Sequence, residues 1–152
     1  SLPVLEESRI RSIIIRGAAQ EDGSAGLTTS LSAQTMEGDT NTSWRSEGAN
    51  VTDDPTVRAL LEDLTALTFN KCIDYNPSDE AAVICGFDAP SAMVQISYVT
   101  EGGAEQSLEL IIGNRLPDKS GRYTRMGDDS SIYLMVTDLL DPLMSIAAGG
   151  LY

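Results

Sequence analysis

The residues that could do chemistry in this sequence are carboxylates and two cysteines, because the chain has no histidine. Without an imidazole base, neither a Ser-His-Asp nor a Cys-His nucleophilic system can be assembled from this chain alone. The sequence also lacks the glycine patterns of phosphate- and dinucleotide-binding loops and any Cys-x-x-Cys zinc pair. It therefore predicts no catalytic, cofactor-binding or metal-binding residue.

The acidic residues leave two kinds of chemistry to weigh. Paired carboxylates hydrolyse glycosides when they lie about 5 to 9 Å apart, but among 23 acidic residues close pairs arise by chance. The segment Asp39-Thr40-Asn41-Thr42-Ser43 imitates the start of a calcium-binding loop. However, Trp44 replaces the required glycine and Asn50 stands where the bidentate glutamate belongs. Asp53-Asp54 is better explained as a helix cap, and Asp128-Asp129 as a hairpin turn.

Cys72 and Cys85 lie 13 positions apart and leave two alternatives open. A disulfide would close a small loop and contribute about 3 kcal/mol if it formed without strain. Two free, buried thiols are the other alternative.

If the domain is exported, we predict that Cys72 and Cys85 are bonded to each other, because disulfides persist in oxidising compartments. Alkylation of the native protein without reductant, followed by mass spectrometry, measures this. The labelling of both thiols would count against the bond and would weaken the case for export.

The charge of the chain limits its partners. Ten Lys and Arg against 23 Asp and Glu give a net charge of −13, which repels nucleic-acid backbones and anionic membrane surfaces. No apolar run approaches the roughly 18 residues of a transmembrane helix. Because the chain starts at Ser1 without Met, we expect that a secretion or anchoring segment could precede it.

The first half of the chain reads as strands followed by a helix. Strands are predicted at residues 9–16 and 27–36, and a short third strand at 42–46 carries Trp44 as a core anchor. Apolar residues then recur at helical spacing over residues 55–67. Asp54 and Pro55 provide a helix cap and a preset first turn.

The second half repeats this order. Strands are predicted around residues 93–98 and 108–112, and a hairpin is predicted at 121–126 and 131–136. A helix is predicted to open at Thr137-Asp138, with Pro142 kinking or delaying it. Tyr75, Tyr98, Tyr123 and Tyr133 are interpreted as half-buried core residues rather than as an exposed binding surface. In the middle of the chain, residues 69–91, turns are predicted at Asn76-Pro77-Ser78-Asp79 and at Gly86-Phe87-Asp88-Ala89-Pro90.

These patterns predict one domain over residues 1–152 with an α+β fold, in which antiparallel sheets carry helices packed on one face. The two halves, about 8–68 and 91–147, favour a duplicated strand-strand-strand-helix unit. The sequence leaves open whether the halves form one sheet or two.

Several segments resemble a bacterial family of domains of unknown function, number 4340. Cys85-Gly86-Phe87-Asp88-Ala89-Pro90 resembles its Tyr-Gly-Leu-Asp-x-Pro signature, with Cys85 in place of Tyr and Phe87 in place of Leu. Leu110 to Asn114 resembles its strand ending in Ile-Gly-Asp or Ile-Gly-Asn. Residues 121–125 and 132–135 resemble its next two strands, and Trp44 with the Leu-rich helix fits its first half. The resemblance extends from about Arg9 to Ile146.

The resemblance implies a domain held outside the cytoplasm by an N-terminal membrane helix, in some cases beside transporter genes. It brings no established catalytic residues. We therefore expect a non-catalytic interaction or structural domain, with an unidentified protein partner such as a transporter or envelope component. A small-ligand or carbohydrate-binding domain is the alternative, and a carboxylate-based hydrolase is favoured least.

Overall fold

The computed structural model describes residues 3–35 and 42–151 of the chain. A 3-10 turn at Glu7–Arg9 precedes the first strand. The helices are α1 (Pro55–Thr65), α2 (Asp79–Ile84) and α3 (Thr137–Gly149). The strands are β1 (Ile10–Gly17), β2 (Thr28–Thr35), β3 (Thr42–Ser46), β4 (Ala49–Asn50), β5 (Lys71–Asp74), β6 (Ala92–Val99), β7 (Glu105–Arg115), β8 (Gly121–Met126) and β9 (Ile132–Val136).

Within the described residues, the strands form one sheet of nine in the order β4-β3-β2-β1-β6-β7-β8-β9-β5. Every neighbouring pair is antiparallel. The predicted α+β class is therefore confirmed, and the strands of both halves share a single sheet.

The centre of the sheet is the pair formed by β1 and β6, the first strands of the two halves. Ile13 lies opposite Ile96, and Ile15 opposite Val94. From this pair, β2 to β4 extend to one side and β7 to β9 to the other. The chain thus has the order and placement that a duplicated unit would give, and a common origin of the halves stays a prediction.

The main core lies between one face of the sheet and the helices α1 and α3. Alternate residues of the central strands are buried there, because side chains on one face of a strand recur every second position. α3 contacts β1, β2, β8, β9 and α1. The most deeply buried members include Trp44, Ile13, Leu60, Val94, Leu110, Ile112, Leu143 and Ile146. The prediction of Trp44 as a core anchor is confirmed.

The C-terminal end of α2 lies against the opposite face of the sheet, unlike the other two helices. Ile111 and Gly113 alternate with the core residues Leu110 and Ile112, so they belong to the second face of β7. A Cβ atom at Gly113 would lie 2.1 Å from the carbonyl oxygen of Cys85, just beyond α2. The two predicted helices, α1 and α3, share one face as expected, and α2 is an additional helix that the sequence did not predict.

Pro142 neither delays α3 nor ends it, contrary to one expectation from the sequence. The helix begins at Thr137 and continues past Pro142 to Gly149. The missing N–H removes one backbone hydrogen bond. The burial of Leu140, Leu143 and Ile146 offsets that loss, because each contributes on the order of 2 kcal/mol.

The start of the chain is fixed by Glu7, which contacts two elements of the first half. Arg58 of α1 donates two hydrogen bonds to its carboxylate, at 3.1 and 3.0 Å. The indole Nε1 of Trp44 donates a third, at 3.3 Å. A two-pronged guanidinium–carboxylate pair is geometrically specific, so Glu7 orients the N-terminal segment against α1 and β3.

α1 begins as the sequence predicts. The Asp54 carboxylate accepts hydrogen bonds from the backbone N–H groups of Thr56 at 2.9 Å and Val57 at 3.2 Å, and Pro55 occupies the first helical position. We predict that Asp54→Ala lowers the free energy of unfolding by about 1 kcal/mol, because two amides lose their acceptor.

Urea denaturation measures this effect, and the matched control is Asp53→Ala, which removes an exposed neighbouring carboxylate. An equal loss of stability in both variants would contradict the assignment of the cap to Asp54.

Candidate functional site

Exposed apolar side chains concentrate in one short stretch of the chain. Six large apolar side chains of the described residues are exposed, and four of them lie between β5 and the end of α2. We call these four the apolar patch: Ile73, Tyr75, Val83 and Ile84. Tyr75 is 82% exposed and Ile84 is 70% exposed. Because exposed apolar side chains that lie together mark interaction sites on monomers, this stretch is the candidate interaction surface.

β5 holds one side of the patch at the outer edge of the sheet. It pairs only with β9 among the described strands, and Ile73 is the extra residue of a bulge in that pairing. The stacked rings of Phe69 and Tyr133, with centroids 4.0 Å apart, hold the chain as it enters β5. Ser131 Oγ donates to the carbonyl of Tyr75 at 3.3 Å as the chain leaves. The bulge turns Ile73 outward, since a bulged residue re-aims its side chain.

α2 holds the other side of the patch, and Asn114 of β7 fixes its end. The backbone N–H of Asn114 donates to Cys85 O at 2.6 Å, and its side-chain amide donates to Ile84 O at 3.2 Å. Gly86 has φ +84°, and a Cβ atom there would lie 2.5 Å from the Asn114 side chain. Only glycine satisfies both the conformation and the contact.

The Cys85 to Pro90 signature therefore has a structural role in this chain. Its glycine admits Asn114, and the Phe87 ring lies 5.8 Å from the guanidinium of Arg125. Both contacts join the segment after α2 to the sheet. The signature thereby supports the end of α2, and its Cys85 thiol is buried.

The two segments that form the patch are rich in acidic residues. Residues 71–84 contain three carboxylates, Asp74, Asp79 and Glu80, against one ammonium group on Lys71. Burial, and after it the charge of Asp74, raises the pKa of the Cys85 thiol. Asp79 and Glu80 lie one helical turn before Val83 and Ile84 on α2, so these carboxylates share a side of the helix with the apolar side chains.

The two cysteines are free thiols in the structure. Cys72 lies exposed on β5, whereas Cys85 is buried where α2 ends. The structure therefore has two free thiols, the second of the two alternatives, although only Cys85 is buried. The disulfide expected for an exported domain stays a prediction.

A second feature is a buried carboxylate between α1 and α3. Asp63 is 9% exposed, and among the described residues nothing donates a hydrogen bond to its Oδ2. Burial, and after it the charge of Asp141 on α3, raises the pKa of Asp63 to about 7. Asp63 was not predicted from the sequence as a functional residue. Its signal was position, since Asp63 lies three residues after Leu60 and four before Leu67 on the buried helical stripe.

A third feature is a concavity of about 530 Å³ on the open face of the sheet, which is the face opposite α1 and α3. Its lining combines small polar side chains with two carboxylates. Gln95 Nε2 donates to Glu109 at 3.0 Å, and the hydroxyls of Ser12 and Ser97 contact each other. The lining residues are Ser12, Ile14, Gln95, Ile96, Ser97, Ser107, Leu108, Glu109, Met126, Gly127 and Asp128.

The tyrosines predicted to be half-buried divide into two groups. Tyr98, Tyr123 and Tyr133 are partly buried, which confirms the prediction for them. For Tyr75 it is wrong, because β5 ends before that residue and leaves its ring in solvent.

The acidic motifs have structural roles where they are described. Asp54 caps α1, and Asp129 accepts the backbone N–H of Ser131 in the β8–β9 turn at 2.9 Å. The calcium-like segment at 39–43 lies partly outside the described residues. Across the ranges 3–35 and 42–151, no three His, Cys, Asp or Glu side chains are grouped to hold a metal ion.

The pKa of Asp63 generates a prediction about pH. The folded state holds this proton more tightly than the unfolded chain does, whose aspartate pKa is near 3.9. The stabilising proton is lost as pH rises through about 7, so we predict that the wild-type protein loses about 1 to 3 kcal/mol of unfolding free energy between about pH 5 and 8. In Asp63→Asn this loss disappears.

Urea denaturation across that pH range measures both proteins. Asp53→Asn is the matched control, because it removes an exposed carboxylate that lies just before α1. The same pH dependence in Asp63→Asn and wild type would contradict the assignment.

Comparison with known proteins gives one match. A family model described as "Domain of unknown function (DUF4340)" matches residues 44–144. Neither the curated proteins nor the solved structures contain a significant match to this chain. In the described ranges, every helix is too short or too polar to cross a membrane.

Proposed function

Because the chain belongs to the DUF4340 family, we propose that it is a non-catalytic interaction domain that works outside the cytoplasm. In this proposal a preceding segment tethers it to the membrane, and it serves as an accessory to a transporter or another envelope complex. The apolar patch is the surface through which it binds its protein partner.

The observation that carries this proposal is the exposure of the patch on a rigid support. Val83 is 61% exposed, yet the residues that follow α2 are held by backbone and side-chain hydrogen bonds from Asn114. A preorganised apolar surface binds with little loss of conformational entropy. The family signature supports the same view, because its residues maintain this surface.

We predict that affinity capture of the full-length protein from cross-linked source cells recovers a reproducible membrane or envelope protein. The variant Val83→Ser/Ile84→Ser should lose that protein, because it removes the apolar contact without disturbing the core. The matched control is Val4→Ser, which changes an exposed apolar residue outside the patch.

Recovery of nothing above a tagged control would overturn the proposal. Equal recovery by all three proteins would overturn the role of the patch. In the first case, ligand screens on the isolated domain become the next measurement.

The concavity on the open face supports a second candidate, a small-ligand or carbohydrate-binding domain. Its volume lies within the range of small-molecule sites, and its hydroxyl, amide and carboxylate groups suit a polyhydroxylated ligand. Glu109 and Asp128 both line it, so a carboxylate-based hydrolase, the least favoured candidate, would also act here.

A further inference from the structure

We infer that the partner of the apolar patch is a protein segment whose apolar side chains are flanked by Lys or Arg. This inference rests on the proposed function and adds the chemistry of the partner. It follows from three properties of the surface: its exposed apolar side chains, the acidic residues around them, and the bulged strand at its edge.

The apolar part of the partner is required by the four exposed side chains. Tyr75, Val83 and Ile84 are each more than half exposed, so a partner that covers them removes apolar area from water. The gain is about 25 cal/mol for each Å² covered. Aromatic and aliphatic side chains that project from a fixed backbone are typical anchors of protein interfaces.

The basic part of the partner is required by charge. Asp74, Asp79 and Glu80 lie in the two segments that form the patch, and Lys71 is the one cation there. The whole chain carries a net charge of −13. An approaching Lys or Arg is attracted by both the local and the overall field, which raises the association rate and selects against acidic partners.

The same charges argue against two other occupants. In a symmetric dimer each patch would face its own copy, so the carboxylates of residues 71–84 would meet like charges. An anionic lipid surface would likewise be repelled. A basic protein segment is the occupant that the electrostatics favour.

The edge of the sheet determines how the partner is contacted. β5 is an edge strand, but its pairing is interrupted at Ile73 and it carries the exposed Lys71. Bulges and edge lysines oppose the addition of another strand. The partner is therefore recognised through side chains, as a helix or a loop, rather than by extension of the sheet.

A random peptide display library selected on the purified domain tests this inference. We expect the enriched peptides to contain at least two apolar or aromatic residues and a net positive charge. Binding of the best synthetic peptide should weaken at least tenfold in Val83→Ser/Ile84→Ser and remain unchanged in Val4→Ser. Raising the salt concentration should also weaken it.

A second pair of variants tests the position of the charges, because both variants change the net charge by the same amount. Asp79→Asn/Glu80→Gln should weaken binding of the peptide at least threefold, because it neutralises two carboxylates beside the patch. Asp22→Asn/Asp118→Asn neutralises two exposed carboxylates elsewhere and should have no such effect. Both pairs change the net charge by two, so a difference between them reports position.

The outcomes separate the inference from the proposed function. Patch-dependent peptides that are neutral or acidic would overturn the basic partner and leave the interaction domain standing. No patch-dependent peptide at all would overturn the docking surface. A dimer in analytical ultracentrifugation that Val83→Ser/Ile84→Ser dissociates would assign the patch to a second copy and also overturn the inference.

Discussion

The pairing of β1 with β6 is the interaction on which the rest of the structure depends. It joins the first strands of the two halves by backbone hydrogen bonds, with Ile13 opposite Ile96 near its middle. Because both strands are central, the strands that follow each of them can only add outward. α1 and α3 then meet over the same face, and their leucines complete one core with the central isoleucines and valines.

This arrangement also determines what is left outside the core. The segment between the halves, residues 66–91, contributes one strand, β5, at the far edge of the sheet. Asn114 fixes its end against β7. The apolar side chains of this segment face water on a rigid support, and they distinguish this surface from the polar remainder of an acidic domain.

The sequence predicted the elements that carry strong local signals. α1 was predicted from the cap at Asp54 and Pro55 and from the leucine stripe. Trp44 was predicted as a core residue because it is the only aromatic residue of its strand. β5 and α2 were not predicted, because four- and six-residue elements that are exposed carry little apolar periodicity. Pro142 was expected to disturb α3, but tertiary burial of the residues around it outweighs one lost hydrogen bond.

The candidate site was harder to predict than the fold. The exposure of Tyr75 depends on where the pairing of β5 with β9 ends, and that of Ile84 depends on its hydrogen bond with Asn114. Both pairings join residues that are far apart in the sequence. The burial of Asp63 could not be predicted from its residue type, because aspartate is usually exposed. It follows only from the position of α3, which packs against α1. The glycine of the signature was the one local clue, and its meaning required the neighbouring strand.

Site-specific photo-crosslinking tests the central claim most directly. A benzophenone-bearing amino acid would replace Ile84 in the full-length protein, and in a control it would replace the exposed Val4. The account predicts that illumination of source cells gives a discrete adduct with one membrane or envelope protein from position 84 and not from position 4. The same adducts from both positions, or none from position 84, would contradict it.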